Sequence, residues 1–111
     1  MFTEISSDDL IYLRSDILPV KHAFTTRFGG VSKGVFKSLN LGIKLGDDPE
    51  NVGENYRLIC GALGIADSDI VCSTQIHSTA IRVVTREDRG SLHAPQQFKS
   101  DGLITAESYS K

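Results

Sequence analysis

Residues 22–47 read HAFTTRFGGVSKGVFKSLNLGIKLGD, and this stretch decides how the rest of the chain is understood. Five of the ten glycines fall here, at Gly29, Gly30, Gly34, Gly42 and Gly46. Such density requires a backbone that turns repeatedly or is closely approached. Between the glycines stand Thr25, Thr26, Arg27, Ser32, Ser38 and Asn40, interleaved with Phe24, Phe28, Val31, Phe36, Leu39 and Leu41. A polar loop pinned by apolar anchors suits a binding surface, although on composition alone such a segment is more often an irregular connection. The glycine spacing matches neither a phosphate loop nor a dinucleotide fingerprint.

On the C-terminal side of the loop the signals are those of a helix. Asp48 suits the N-cap, Pro49 the first helical position, and Glu50 the positive end of the helix dipole. Val52, Tyr56, Ile59, Cys60 and Leu63 recur at three- and four-residue spacings, which makes one core-facing stripe. Gly64 is the expected stop. Gly53 and Gly61 each weaken the helix by about 1 kcal/mol relative to alanine, so packing of the stripe must hold it.

On the N-terminal side, residues 9–13 (DLIYL) and Ile17-Leu18 suggest an opening strand or hairpin with Arg14-Ser15-Asp16 as the turn, ended by Pro19. Residues 20–26 (VKHAFTT) favour a strand that delivers Arg27 to the loop. Further on, residues 69–77 (DIVCSTQIH) read as a strand that pairs antiparallel with 80–85 (AIRVVT). Residues 86–100 read as an exposed loop, and 101–105 (DGLIT) as a last short strand.

The 111 residues suit one domain, spanning 1–111, with ordinary globular values of 40% apolar and 23% charged residues. A net charge of -2 provides no basic footprint for nucleic acid. No apolar run approaches the roughly 20 residues of a membrane span, and the N-terminus lacks the pattern of a secretory signal. The expected location is the cytoplasm. Cys60 and Cys72 are therefore read as reduced and buried.

Four positions stand out chemically. His77, at an expected strand end and on one face with Gln75, suits a metal ligand or a general acid or base, against the plainer reading of a structural or solvated histidine. His22 and His93 could join it only through the fold. Arg27 has the planar fork to clamp phosphate or carboxylate, or else makes a surface ion pair. Asn40 is a turn residue or a directed hydrogen-bonding group. Asp101 is most simply a turn residue.

In order along the chain, Phe24-Thr25-Thr26-Arg27, Gly29-Gly30-Val31-Ser32, Gly34, Ser38-Leu39-Asn40-Leu41-Gly42, Gly46-Asp47, Val52, Glu54-Asn55, Leu63-Gly64, Gln75-Ile76-His77 and Asp101-Gly102-Leu103-Ile104-Thr105 resemble the laccase-domain (multicopper polyphenol oxidoreductase) family. That family is also associated with purine nucleoside phosphorylase activity. The resemblance covers residues 20–105 and implies an α+β fold, with a mixed β-sheet and flanking helix. It also implies a site of a histidine, a cysteine and a second histidine holding zinc, or copper by the older label.

His77 matches the first histidine, as catalytic residue and metal ligand. Arg27 and Asn40 match positions near the pocket, as substrate or scaffold residues. Ser78 departs from the glycine that usually follows the histidine. The family's Ala-Asp-Cys segment and second histidine have no counterpart before Lys111, so the expectation is a truncated laccase-like domain with an incomplete site and weak or absent metal binding. The implied reaction is phosphorolysis of purine nucleosides by phosphate, with related adenosine deamination. The alternative is a non-catalytic binding or assembly module, self-associating through exposed apolar surface or completed by a partner chain.

Overall fold

A computed structural model describes residues 1–42, 45–72, 78–89 and 101–106. The chain divides into two compact units, Met1–Ile65 and Ala66–Lys111.

The first unit is a three-stranded antiparallel sheet packed on one helix. Strands β1 (Phe2–Ser7) and β2 (Leu10–Ser15) form a hairpin in the register Phe2↔Ser15 to Ser7↔Leu10, and β3 (Phe24–Thr25) pairs with β2 at Tyr12↔Thr25 and Leu13↔Phe24. The turn lies at Asp8-Asp9, where Asp8 takes a left-handed φ of 53° that aspartate tolerates. The opening hairpin is thus shifted from its expected place. Arg14 and Ser15 belong to β2, while Ile17 and Leu18 are exposed beyond it. The reason is that β1, FTEISS, is largely exposed and shows no apolar alternation, so it leaves no pattern to read.

The expected strand over 20–26 shrinks to Phe24–Thr25. Residues ahead of it are held in a loop by the His22 ring, whose Nε2 accepts the Ser15 N–H (2.9 Å) while Nδ1 donates to the Val20 carbonyl (2.7 Å). These two bonds specify the Nδ1-protonated tautomer and make His22 a structural clamp.

Helix α1 (Pro49–Leu63) forms as its sequence dictates. The Asp48 carboxylate accepts the Glu50 N–H (2.9 Å), and Gly64, at φ 73°, closes the other end with the Ile65 N–H on the Cys60 carbonyl (2.9 Å). Its buried face presents Val52, Asn55, Ile59 and Cys60. Ile59 joins Leu10 and Tyr12 of β2 and Leu39 of the loop in the core, flanked by Ile5, Ala23, Leu41, Leu58, Ala62 and Leu63. Leu10 and Tyr12 alternate onto the same sheet face, and each large apolar side chain buried there contributes roughly 1.5–3 kcal/mol.

In the second unit, Asp67–Asp69 and Arg86–Asp88 are short 3-10 turns, the latter with a capping box between Thr85 and Asp88. Strand β4 (Ile81–Val83) pairs parallel with β5 (Gly102–Ile104), in the register Ile81↔Gly102 to Val83↔Ile104. Strand 81–83 thus has the DGLIT segment as a parallel partner, and of the expected strand 69–77 the described residues Ile70–Cys72 are not in a strand. Residues 73–77, the remainder of that expected strand, and 90–100 of the expected loop lie outside the described residues. Cys60 and Cys72 are free thiols, the first buried and the second half-buried rather than fully buried as expected. Among the described residues, no helix is long and apolar enough to cross a membrane.

Candidate functional site

The loop between β3 and α1 is organised by Asn55. This helix residue is fully buried, at 0% exposure, and hydrogen bonds are what make a buried amide tolerable. Its side-chain carbonyl accepts the Val31 N–H (2.8 Å), and its NH2 group donates to the Ser32 hydroxyl (2.9 Å) and the Asn40 carbonyl (2.8 Å). One side chain therefore ties two separate arms of the loop to the helix.

The network extends outward from there. The Ser32 hydroxyl donates in a short bond to Oδ2 of Asp47, which also accepts from Nδ2 of Asn40 (3.2 Å), while Oδ1 of Asp47 accepts the Asp48 N–H (2.8 Å). The Ser32 hydroxyl holds the Asp47 carboxyl below the ordinary aspartate range, with Asn40 and the Asp48 amide acting in the same direction and partial burial opposing them. Tyr56 donates its hydroxyl to the Leu41 carbonyl (2.7 Å), a second tether one residue along the helix.

The glycine pair is required by this packing. Gly29 has φ 97°, and a Cβ there would lie 2.5 Å from the Leu10 Cα. A Cβ on Gly30 would lie 2.2 Å from the Ser38 carbonyl and 2.5 Å from the Asn55 carbonyl oxygen. Close approach of backbone, rather than ligand binding, accounts for both.

Arg27 occupies the exposed end of this scaffold. Its carbonyl accepts the N–H groups of Ser38 (2.9 Å) and Leu39 (2.8 Å) and the Ser38 hydroxyl (2.6 Å), so its backbone is fixed. Its guanidinium lies 5.5 Å from the centroid of the Phe28 ring, on the exposed surface. Asn40 satisfies both of its sequence readings at once: Oδ1 accepts the Gly42 N–H (3.0 Å) in a local turn, and Nδ2 reaches Asp47. Its side chain serves the scaffold.

His77 lies outside the described residues, as does His93. Its chain neighbour Ser78 is described, and both its N–H and its hydroxyl (2.9 Å) donate to Oδ2 of Asp101. Among the described residues, no three His, Cys, Asp or Glu side chains are grouped to hold a metal ion. The described residues do not by themselves make a zinc or copper site.

Asn55 and Asp47 are given no chemical role by the sequence reading, and Ser32 is named there only as one of the polar residues of the loop. For Asn55 the signal was present, since 52, 55, 56 and 59 follow the i, i+3, i+4, i+7 spacing of the apolar stripe. A polar residue on that stripe must find buried partners.

The sequence profile of the multi-copper polyphenol oxidoreductase laccase family matches residues 21–110. Among curated relatives, a purine nucleoside phosphorylase of Deinococcus radiodurans is 39% identical over 102 residues, covering 92% of this chain and 37% of the relative. The purine nucleoside phosphorylase YlmD of Geobacillus stearothermophilus is 41% identical over 88 residues, covering 75% of this chain and 31% of that protein. The crystal structure of YlmD superimposes with a TM-score of 0.81 at 33% identity, over 95% of this chain and 41% of that one. Bacillus licheniformis YfiH superimposes with a TM-score of 0.76 at 27% identity, over 96% and 40%. The fold is thus the α+β fold of these proteins, and the chain spans about a third of the length of the curated relatives it matches.

Proposed function

We propose, from the premise that this chain belongs to the multi-copper polyphenol oxidoreductase laccase family, that it contributes one wall of a site for phosphorolysis of purine nucleosides, residues 1–111 being a portion of a single laccase-like domain. In that reaction a phosphate oxygen attacks C1′ of the ribose, the glycosidic C–N bond breaks, and the purine leaves with a proton. Arg27 binds the phosphate through its fork of N–H donors. Asn40 shapes the loop that presents Arg27. His77 supplies acid–base chemistry at the leaving purine.

The observation that carries this reading is the state of Arg27, with a carbonyl held by three hydrogen bonds and a guanidinium on the exposed surface. A cation on a fixed backbone suits recognition of an anion, because binding has only the side chain, and not the loop that carries it, left to order. The names of the relatives make a nucleoside and phosphate the substrates to try first.

The test is an assay of the 111-residue chain with inosine or adenosine and phosphate, alone and co-produced with the part of YlmD outside the match. Little turnover alone and restored turnover in the pair is the expected result. Robust turnover by the chain alone would overturn a shared site.

A second reading, a non-catalytic assembly module, is favoured by the β4–β5 pair. Ile81, Val83 and Ile104 share one face and are 70%, 68% and 57% exposed, whereas parallel strands are ordinarily covered on both faces. Mass measurement in solution tests it, self-association being the expected result and a clean monomer the contrary one.

A further inference from the structure

Within the first unit a cleft of about 510 Å³ is lined by the end of β2, the segment that follows it and the last turn of α1. That volume is in the range of small-molecule sites, and none of the lining residues belongs to the loop between β3 and α1. The walls are held by bonds within the chain. The Ser15 hydroxyl accepts the Ile17 N–H (3.4 Å), and the two ring nitrogens of His22 tie the segment to Ser15 and Val20.

Two side chains of the lining are short of partners. Tyr12 is only 7% exposed and packs in the core with Leu10, Leu39 and Ile59, yet its hydroxyl makes no hydrogen bond with the described residues. A buried hydroxyl in that state costs stability until a partner satisfies it. Arg14 lies two positions further along β2, so its side chain leaves the same face of the sheet. Its guanidinium forms neither a hydrogen bond nor an ion pair with the described residues.

The other polar groups of the cleft are already engaged. Nζ of Lys21 lies 3.5 Å from where a Cβ on Gly64 would stand, at the C-terminal end of α1, where the helix dipole favours a cation. Oδ1 of Asp16 accepts the Thr3 hydroxyl (2.8 Å). His22 donates from Nδ1 and accepts at Nε2, which is the neutral ring.

We propose that this cleft binds a small carboxylic acid with an apolar body. Arg14, Lys21 and Asp16 leave the lining with one positive charge in excess, which a carboxylate balances, whereas a phosphomonoester brings close to two negative charges beside Asp16. The planar guanidinium of Arg14 matches the two carboxylate oxygens, and the Tyr12 hydroxyl donates to one of them. Leu18 and Val20 from the segment, both exposed, and Ala62 and Leu63 from the helix supply apolar surface that the body of the acid covers.

The experiment is an NMR titration of the 15N-labelled 111-residue chain at neutral pH with sodium hexanoate, hexanol and hexyl phosphate at equal ionic strength, following the Ser15 and Leu63 amides and the Arg14 Nε–H. Hexanoate is expected to shift all three saturably and to bind roughly tenfold or more tighter than either of the other probes. Arg14→Gln is expected to weaken hexanoate about tenfold, and Tyr12→Phe about threefold or more. Tyr12→Phe keeps the ring in the core and loses no bond within the chain, so its melting temperature should not fall. Absence of a saturable shift with hexanoate would overturn the inference, as would unchanged hexanoate affinity in either variant. Equal binding of hexanol would reduce the cleft to an apolar patch, and tighter binding of hexyl phosphate would make it a phosphate site; each of these results contradicts a carboxylate site.

Discussion

The side-chain carbonyl of Asn55 accepts the backbone N–H of Val31 at 2.8 Å, joining positions 24 apart in sequence. Asn55→Ala leaves the Val31 N–H, the Asn40 carbonyl and the Ser32 hydroxyl each short of a partner in a buried setting. A cost of about 2–4 kcal/mol is expected, given the penalty for stranded buried polar groups. Urea denaturation of the variant measures it, and a cost under half of that would mean that water or neighbouring groups take over the bonds.

The glycines separate into two kinds. Gly30→Ala places a methyl group 2.2 Å from the Ser38 carbonyl and must displace the loop, so a destabilisation of about 2 kcal/mol or more is expected. Gly53→Ala meets nothing within 4 Å on a helix and should stabilise by about 0.5–1 kcal/mol. Thermal melts of the two variants should move in opposite directions.

Asp47 links the loop to pH. Its carboxyl titrates below the ordinary value of 3.8, chiefly because of the Ser32 hydroxyl, so the folded state favours the carboxylate more than the unfolded chain does. The resulting stabilisation is complete above the unfolded value and is lost as pH falls from there through the folded one. Stability measured between pH 6 and pH 2 should decline at the acid end, and Asp47→Asn should flatten that part of the curve.

Arg27→Ala tests phosphate recognition. In YlmD with its matched stretch replaced by this chain, the substitution is expected to raise KM for phosphate about tenfold with a smaller change in kcat, which corresponds to loss of one charge-assisted contact. An unchanged KM for phosphate would return Arg27 to the surface.

Helix α1 was legible because cap, proline, stripe and terminal glycine all point the same way within one local segment. The DGLIT strand was also found, but its partner was not: parallel pairing of Ile81 with Gly102 depends on chain 21 positions away, which no local pattern encodes. Strand β1 escaped notice because its side chains are mostly exposed, and burial is what writes an alternating pattern into a sequence. At the site, Arg27 and Asn40 were identified as functional in type, yet the difference between them is positional. Only the fold shows that the side chain of Asn40 is spent on Gly42 and Asp47 while that of Arg27 points to the exposed surface. The buried amide of Asn55 lay on a recognisable stripe, and the need to satisfy it was the overlooked signal.

The most direct test of the account is the rate of inosine phosphorolysis in YlmD carrying this chain in place of its matched stretch, with and without His77→Ala. The account predicts activity with His77 in place and a fall in kcat of about 10²-fold or more without it, the scale of a lost general acid or base. A variant that turns over at the unsubstituted rate would contradict it.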